Sequence, residues 1–442
     1  MDPDLKIQLE KATPRNLALR ALMYTCKTEA QFVHIVCVGA GDAFLKRYWP
    51  HLQTSLAHNF VKLTVADRFP LTELMDKKIT VATEDPSIQD GVKELRRLYR
   101  EFTEHVGSNR HIKYVDLSER QGRDWYDHLL ADIVFILVPD EIHVKMARPW
   151  VRRANLIIVE KPYNRDFYEA VSFQSEMKKM TTGKGRKKPT TWVIAFDHYL
   201  AKIADYSKRR EVDRLFRDPG TSGASLGILK KASFALLEPG GVESWRAESL
   251  RAGMTYDLFS HVLAMLPVEL RCEGGPSDWI KRVAVARHKK CPESVTAETF
   301  AHFELLLKNA VGQDVCVEGD VGKGVGTSQE KWMRFSGQDG EVQFDLNPDG
   351  TRSVNLRKDG TDLWEKLYDV GNGHPELLRE LLSGQYMNNP VGGMPLERAI
   401  AILEALNFVR EKVRDFSESI ELPEYEIGEP LDTIRNRAAP VI

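Results

Sequence analysis

The chain has 442 residues, 42% of them hydrophobic and 29% charged, with a formal net charge of -2. That length suits two or three domains with sizeable cores, and the near-neutral balance excludes a global field that would draw nucleic acid or a membrane surface. Five scattered cysteines (Cys26, Cys37, Cys272, Cys291, Cys316) form no CxxC pair and no dense framework, which argues against zinc or a disulfide scaffold and for a reduced, cytoplasmic setting.

Residues 1–30 begin with a charged stretch and no apolar signal-peptide core. Apolar positions at helical spacing (Leu17, Leu19, Leu22, Met23) predict an N-terminal helical extension there. No run of about 18 apolar residues occurs, so no membrane span is expected. Then come short apolar runs rich in valine and isoleucine: FVHIVCV (32–38), VKLTVAD (61–67), ADIVFILVP (131–139), NLIIVEKP (155–162) and TWVIAFDHY (191–199). Such runs read as strands buried on both faces. Charged segments of helical period lie between them, as in GVKELRRLYREFTEHV (91–106). The alternation predicts a Rossmann-like, doubly wound parallel sheet over 31–205.

After about residue 205 the texture changes to successive strands with turns. They are 225–238, 283–290, 298–309, 315–322, 331–346 and 352–360, with a QDGE hairpin signal at 338–341. Residues 206–442 therefore read as an α+β domain on a large, mainly antiparallel sheet, the part expected to carry substrate and oligomer contacts. Two helices, in 374–384 and 395–416, follow, and the last could pack back on the first domain. The proline- and charge-rich tail after them is expected on the surface. The run KKMTTGKGRKKP (178–189) reads as a solvated loop.

The first strand ends in VGAGDAFLKRYWPHL (38–52). A strand followed at once by GxG and a helix places backbone N–H groups where a pyrophosphate can sit. Gly39 makes the tight turn and Gly41 lets the backbone approach the phosphates. Asp42 and Ala43 open the helix, and Phe44 stands where the fingerprint has its third small residue. Asp67 ends the second strand, where an acid can bond a ribose hydroxyl, and Arg68 can stack on adenine or meet a 2′-phosphate. The choice between NAD and NADP stays open.

Pro139, His143 and the Glu160-Lys161-Pro162 run, with their strand–helix–strand context, resemble the Gfo/Idh/MocA oxidoreductases. GMTYDLFSHVLAML (253–266) looks like that family's Asp-x-x-x-His helix, giving Asp257 and His261. The glycine loop, EKPYNRD and FDHYLAK (196–202) also resemble glucose-6-phosphate dehydrogenases. That likeness implies substrate contact by Asp197, His198, Tyr199 and Lys202, and faintly by Lys323 in GDVGKGV. It departs at the glycine spacing and at Ala201, and the four-residue step from Asp257 to His261 is that of Gfo/Idh/MocA. Together the resemblances imply Lys161, Asp257 and His261 as catalytic residues and a cis turn at Glu160-Lys161-Pro162. They place Pro139, His143, Glu160 and Lys161 beside the cofactor.

The chemistry is consistent with these types. Removing a hydride from a secondary alcohol needs a base for the hydroxyl proton while nicotinamide takes the hydride. Residues 257 and 261 share one helix face, and an imidazole titrates near neutral pH. Trp245 and Arg246 precede that helix and could touch a sugar. The leading expectation is an NAD(P)-dependent oxidoreductase acting on a sugar, sugar phosphate or cyclitol, assembled as a homodimer or homotetramer. The alternatives are a non-catalytic NAD(P)-binding regulator and a redox-neutral eliminase or epimerase that recycles NAD. Neither a metal, a nucleic acid nor a membrane is expected as partner.

Overall fold

The structure is a computed structural model. It describes residues 33–57, 61–74, 86–182, 191–203, 226–239, 253–267, 269–289, 298–326, 329–346, 353–358, 363–369, 373–383, 390, 392–417, 419–426 and 428–442. The expected N-terminal helix, Trp245 and Arg246 lie outside the described residues. The chain divides into two compact units, Met1–Asp197 with Gly373–Ala399, and His198–Asn372 with Ile400–Ile442.

The first unit is built on a seven-stranded sheet. Its strands are β1 (Val33–Val38), β2 (Val61–Asp67), β3 (Ile112–Asp116), β4 (Ala131–Ile136), β5 (Ala154–Glu160) and β6 (Trp192–Phe196), with β15 (Gly393–Pro395) added late in the chain. The order β3-β2-β1-β4-β5-β6 is all parallel, the doubly wound arrangement with its switch point between β1 and β4. β15 adds an antiparallel edge to β6. The five apolar runs became five of these strands. β3 carried no comparable signal: only Ile112 and Val115 of its five residues are buried, as suits an edge.

Helices connect the strands: α1 (Trp49–Ala57), α2 (Pro86–Ser108), α3 (Arg120–Asp127), α4 (His143–Ala147) and α5 (Phe167–Thr182). A π-helical turn, Phe44–Tyr48, leads into α1, and the Trp49 amide bonds back to the Phe44 carbonyl. Pro50 follows and has no N–H to continue an ordinary ladder, which favours the widened turn. Phe44, Trp49 and Phe102 of α2 then pack edge to face at 5.1 Å around Phe102. This explains a large residue at position 44. It fills the core between helix and helix, where a small residue would leave a void.

On β1, His34 faces Thr64 with its Nε2 2.9 Å from Oγ1. Burial, and then the Lys62 charge, push the ring down to about 4. Between pH 6.5 and 4 the unfolded chain binds a proton here that the folded chain refuses. Stability therefore falls as pH drops through that window. His34→Gln is expected to flatten this part of a plot of unfolding midpoint against pH, with the parent steeper.

The second unit carries a ten-stranded sheet in the order β14-β13-β12-β11-β7-β10-β9-β8-β16, with β17 also on β8. The strands are β7 (Lys231–Glu238), β8 (Ile280–His288), β9 (Phe300–Lys308), β10 (Asp314–Lys323), β11 (Glu330–Ser336), β12 (Gly340–Asp345), β13 (Ser353–Lys358), β14 (Glu365–Asp369), β16 (Glu424–Tyr425) and β17 (Ala439–Pro440). Pairing is antiparallel except β10 with β7 and β16 with β8. The registers put Phe234, Leu236, Phe303, Leu305, Val317, Val321, Met333 and Phe335 on one buried face. Helix α7 (Gly253–Met265) covers it, with Phe259 stacked on Phe303 at 3.9 Å. Five further helices belong to the two units: α6 (His198–Ile203), α8 (Pro276–Trp279), α9 (His374–Ser383), α10 (Leu396–Ser417) and α11 (Leu431–Arg437).

The opposite face carries both charge and apolar residues. Part of it is a ladder of cross-strand ion pairs, Lys231–Glu318, Arg282–Glu304 and Arg357–Glu341. Another part of it, on β7, β8 and β9, is covered by the chain's own tail. Tyr425 and Ile434 are fully buried against Ala235, Leu237, Ala284, Ala286 and Phe300. The tail lies on the surface as its composition predicts, but it is anchored there, because Tyr425, Ile434 and Ala438 land on apolar residues of this face. Among the described residues no helix is long and apolar enough to cross a membrane.

Candidate active site

In the first unit the glycine loop is drawn tight by the ends of three strands. The Gly39 amide donates to the Ala66 carbonyl at 2.8 Å, and the Leu137 amide to the Val38 carbonyl at 2.8 Å. Gly39 has φ +103°, and a Cβ there would lie 2.7 Å from the Leu137 oxygen. Only glycine fits. Gly39→Ala is expected to cost about 1–3 kcal/mol, read as a lower urea midpoint at unchanged slope. Gly91→Ala is the control: it sits in α2 with open space around it and should hold or raise the midpoint.

Asp67, buried at the end of β2, accepts the Ala40 amide at 2.7 Å and the Phe69 amide at 3.2 Å. The acid and the loop are therefore one built object. The Gly41 carbonyl accepts the Leu45 amide at 3.0 Å, which starts the helix. Asp42 pairs with Lys46 at 3.0 Å. Ala43 lies in the first turn, whose amides have no intrahelical acceptors. Arg68 is exposed, its guanidinium 4.8 Å from the Phe69 ring centre. This cradle, at the switch point and with an acid beside it, fits a dinucleotide.

The turns after β4 and β5 are clamped to each other. Pro139 is exposed and caps a 3-10 turn, Asp140–Ile142. Arg165 grips Asp140 at 2.8 Å and also Glu141. His143 is buried, with Nδ1 2.9 Å from the Pro162 carbonyl and Nε2 2.7 Å from the Val138 carbonyl. Its ring is a brace between the two strand ends. Lys161 stands half-buried at the end of β5, and the Lys161–Pro162 peptide is cis. Asp197, at the end of β6, is fully buried, and its amide donates to the Gly392 carbonyl at 2.9 Å.

Glu160 points inward. Its carboxylate accepts the Tyr48 hydroxyl at 2.6 Å and lies 3.3 Å from His374 Nε2. Burial alone would push its carboxyl up, but the bond and charge of His374, the charge of Arg47 and the Tyr48 hydroxyl hold it down to about 2. Tyr48 is pushed well above the usual phenol range by burial and then by Glu160. The network ties the glycine-loop helix, the Lys161 strand and the start of α9 together.

In the second unit, α6 and α7 bring three rings face to edge. His261 lies 4.7 Å from His198 and 4.5 Å from Tyr199, centre to centre. Lys202 sits 4.7 Å from the Tyr199 ring centre. Asp257, one turn before His261, meets Lys323 Nζ at 3.2 Å. Register sets Lys323 directly opposite Glu238, with Nζ to Oε2 at 3.7 Å. Glu238 also takes Lys331 Nζ at 2.6 Å. Burial pushes the Glu238 carboxyl up, and the two lysine charges overcome that and lower it. Burial pushes Lys331 down, and Tyr199 and Glu238 overcome that and raise it. Two cations and two carboxylates thus balance in a setting where unpaired charge is costly.

His198, Tyr199, Lys202, Asp257, His261 and Lys323 form this one cluster in the second unit. Glu238 and Lys331 are additions to it. Their only sequence signal is a charge at the end of an apolar strand, as in FALLE, which has many surface explanations.

No protein-family model and no curated protein sequence matches this chain. Solved structures do match it in fold. A glucose-6-phosphate dehydrogenase in complex with its substrate glucose-6-phosphate aligns at TM-score 0.57 and 12% identity, over 93% of this chain and 98% of that one. A UDP-N-acetylglucosamine 3-dehydrogenase from Acidithiobacillus ferrooxidans aligns at 0.54 and 15%, over 88% and 100%. A 3-ketoreductase from Actinomadura kijaniata, in complex with NADP and TDP-benzene, aligns at 0.53 and 15%, over 86% and 98%. The shared property is the fold, a Rossmann-type parallel sheet joined to a mainly antiparallel one.

Proposed function

We propose that this chain is an NAD(P)-dependent oxidoreductase of Gfo/Idh/MocA type, moving a hydride between nicotinamide and a secondary hydroxyl of a sugar, sugar phosphate or cyclitol. The observation that carries the reading is the cluster in the second unit, where an imidazole is ringed by His198 and Tyr199 beside a lysine–carboxylate set. The sugar and sugar-nucleotide oxidoreductases that share the fold support it, as does the Gly39–Asp67 loop.

In this reading Gly39, Gly41 and the first-turn amides of Asp42 and Ala43 hold the pyrophosphate. Asp67 accepts from a ribose hydroxyl, and Arg68 covers the adenine side. When bound, NAD(P) supplies the acceptor for hydride. His261 takes the hydroxyl proton, and Asp257 fixes the helix face that presents it. Lys161 donates to the reacting oxygen. Asp197, His198, Tyr199 and Lys202 hold the rest of the sugar, and Lys323 supplies a positive charge on its side of the site. His143 and Glu160 act by fixing the turns that carry Pro139 and Lys161. A homodimer or homotetramer is part of the proposal, read by light scattering on the purified chain.

The test is a titration with NAD, NADH, NADP and NADPH, followed by reduced-nicotinamide absorbance against a panel of free sugars, sugar phosphates and cyclitols. Binding of one cofactor pair and turnover of at least one sugar is the expected result. Binding without turnover across the panel, in both directions, would overturn it in favour of a regulator.

A further inference from the structure

The tail reaches the back of the lysine cluster. Tyr425 has no exposed surface, and its hydroxyl donates to the backbone carbonyl of Lys323 at 2.7 Å. The same hydroxyl lies 2.8 Å from Thr299 Oγ1. Thr299 Oγ1 in turn accepts the His288 amide at 2.7 Å. The protons therefore run one way, from the His288 amide to the Thr299 hydroxyl, then to the Tyr425 hydroxyl and the Lys323 carbonyl. The Lys323 amide closes the loop by donating to the Thr299 carbonyl at 2.9 Å. Both backbone groups of Lys323 are thus held from behind, while its Nζ reaches Asp257 and Glu238 in front.

The tail is itself fixed. The Arg287 amide donates to the Pro423 carbonyl at 2.8 Å and the Lys289 amide to the Tyr425 carbonyl at 3.0 Å. Arg435 of α11 clamps the buried Asp320 on the neighbouring β10 through Nε at 3.0 and 3.1 Å. Gly324 and Gly326, both at positive φ, turn the chain right after Lys323, and between them the Val325 amide donates to the Glu238 carbonyl at 3.2 Å. Sheet contacts hold both sides of Lys323, and the tail adds the hydroxyl donor to its carbonyl.

We propose that Tyr425 is a positioning residue for Lys323, and that the C-terminal tail thereby sets sugar affinity. This rests on the reading of the second-unit cluster as the sugar site. Tyr425→Phe in the full chain is expected to raise KM for the best sugar of the panel about fivefold, the value of one neutral hydrogen bond. kcat and the NAD(P) Kd should stay within about twofold. Thr299→Val, which removes the group donating to the Tyr425 hydroxyl, should move KM in the same direction.

Lys323→Ala separates the two ideas. If it raises KM strongly and Tyr425→Phe adds nothing on top of it, the positioning role stands. If Tyr425→Phe leaves KM unchanged, or raises it equally in the Lys323→Ala background, the inference is overturned while the sugar site survives. If Lys323→Ala itself leaves KM unchanged, the site reading fails and takes this proposal with it.

Discussion

Lys161→Ala and His261→Ala are each expected to lower kcat/KM for the sugar substrate by about two to four orders of magnitude, with NAD(P) affinity held within a few fold. The two losses have different causes. Loss of a positioned acid or base removes about 10²–10⁴-fold, and that is the share assigned to His261. Loss of a preorganised donor aimed at a developing oxyanion removes about 10²–10³-fold, the share assigned to Lys161. His261 is buried and packed between two rings, so His261→Ala also opens a cavity. His261→Asn keeps most of the volume and separates chemistry from packing. Turnover at parental rates in Lys161→Ala, or in both His261 variants, would remove these residues from the mechanism.

The second large effect is on stability. Glu160→Ala leaves the Tyr48 hydroxyl and the His374 ring buried without their acceptor, and breaking a buried pair from one side costs about 3–5 kcal/mol. The pH dependence follows from the same carboxylate. Its folded value is about 2 against 4.5 in the open chain. The contribution is complete above 4.5 and is lost as pH falls through the window from 4.5 to 2, because the unfolded chain takes up the proton first. The full span is worth about 3 kcal/mol. Urea unfolding of the parent and of Glu160→Gln between pH 6 and pH 3 checks it. The parent should lose stability more steeply below pH 4.5, and parallel curves would show that Glu160 is not held as an ionised carboxylate.

Much of the fold was legible in the residues. Buried parallel strands announce themselves as unbroken valine and isoleucine runs, since both faces are covered. The strands that escaped notice are those whose residues carry a weaker local signal. β3 is an edge with two buried residues, β14 is the edge of the second sheet, β15 has three residues, and β16 and β17 have two each. Apart from β14, their pairing is decided by a partner strand far off in sequence. The anchoring of the tail was unreadable for the same reason, because a proline- and charge-rich segment shows no partner until Tyr425 and Ile434 meet the apolar residues of a sheet.

The candidate site divides the same way. The placement of Gly39, Asp67 and Lys161 at strand ends, and of Asp257 and His261 one turn apart on a helix, was readable because it follows from local geometry. Glu238 and Lys331, the Tyr48–Glu160–His374 network and the hold of Tyr425 on Lys323 were not readable. Each joins groups tens to hundreds of residues apart.

By itself, then, the amino-acid order determined the strand and helix alphabet, the tight glycine turn and the residue types that stand at strand ends and on the helix of the candidate site, all set by interactions within a few residues. Tertiary structure alone decided which buried charge meets which, since a carboxylate held down to about 2 or a lysine kept charged inside a protein depends on partners delivered by the fold.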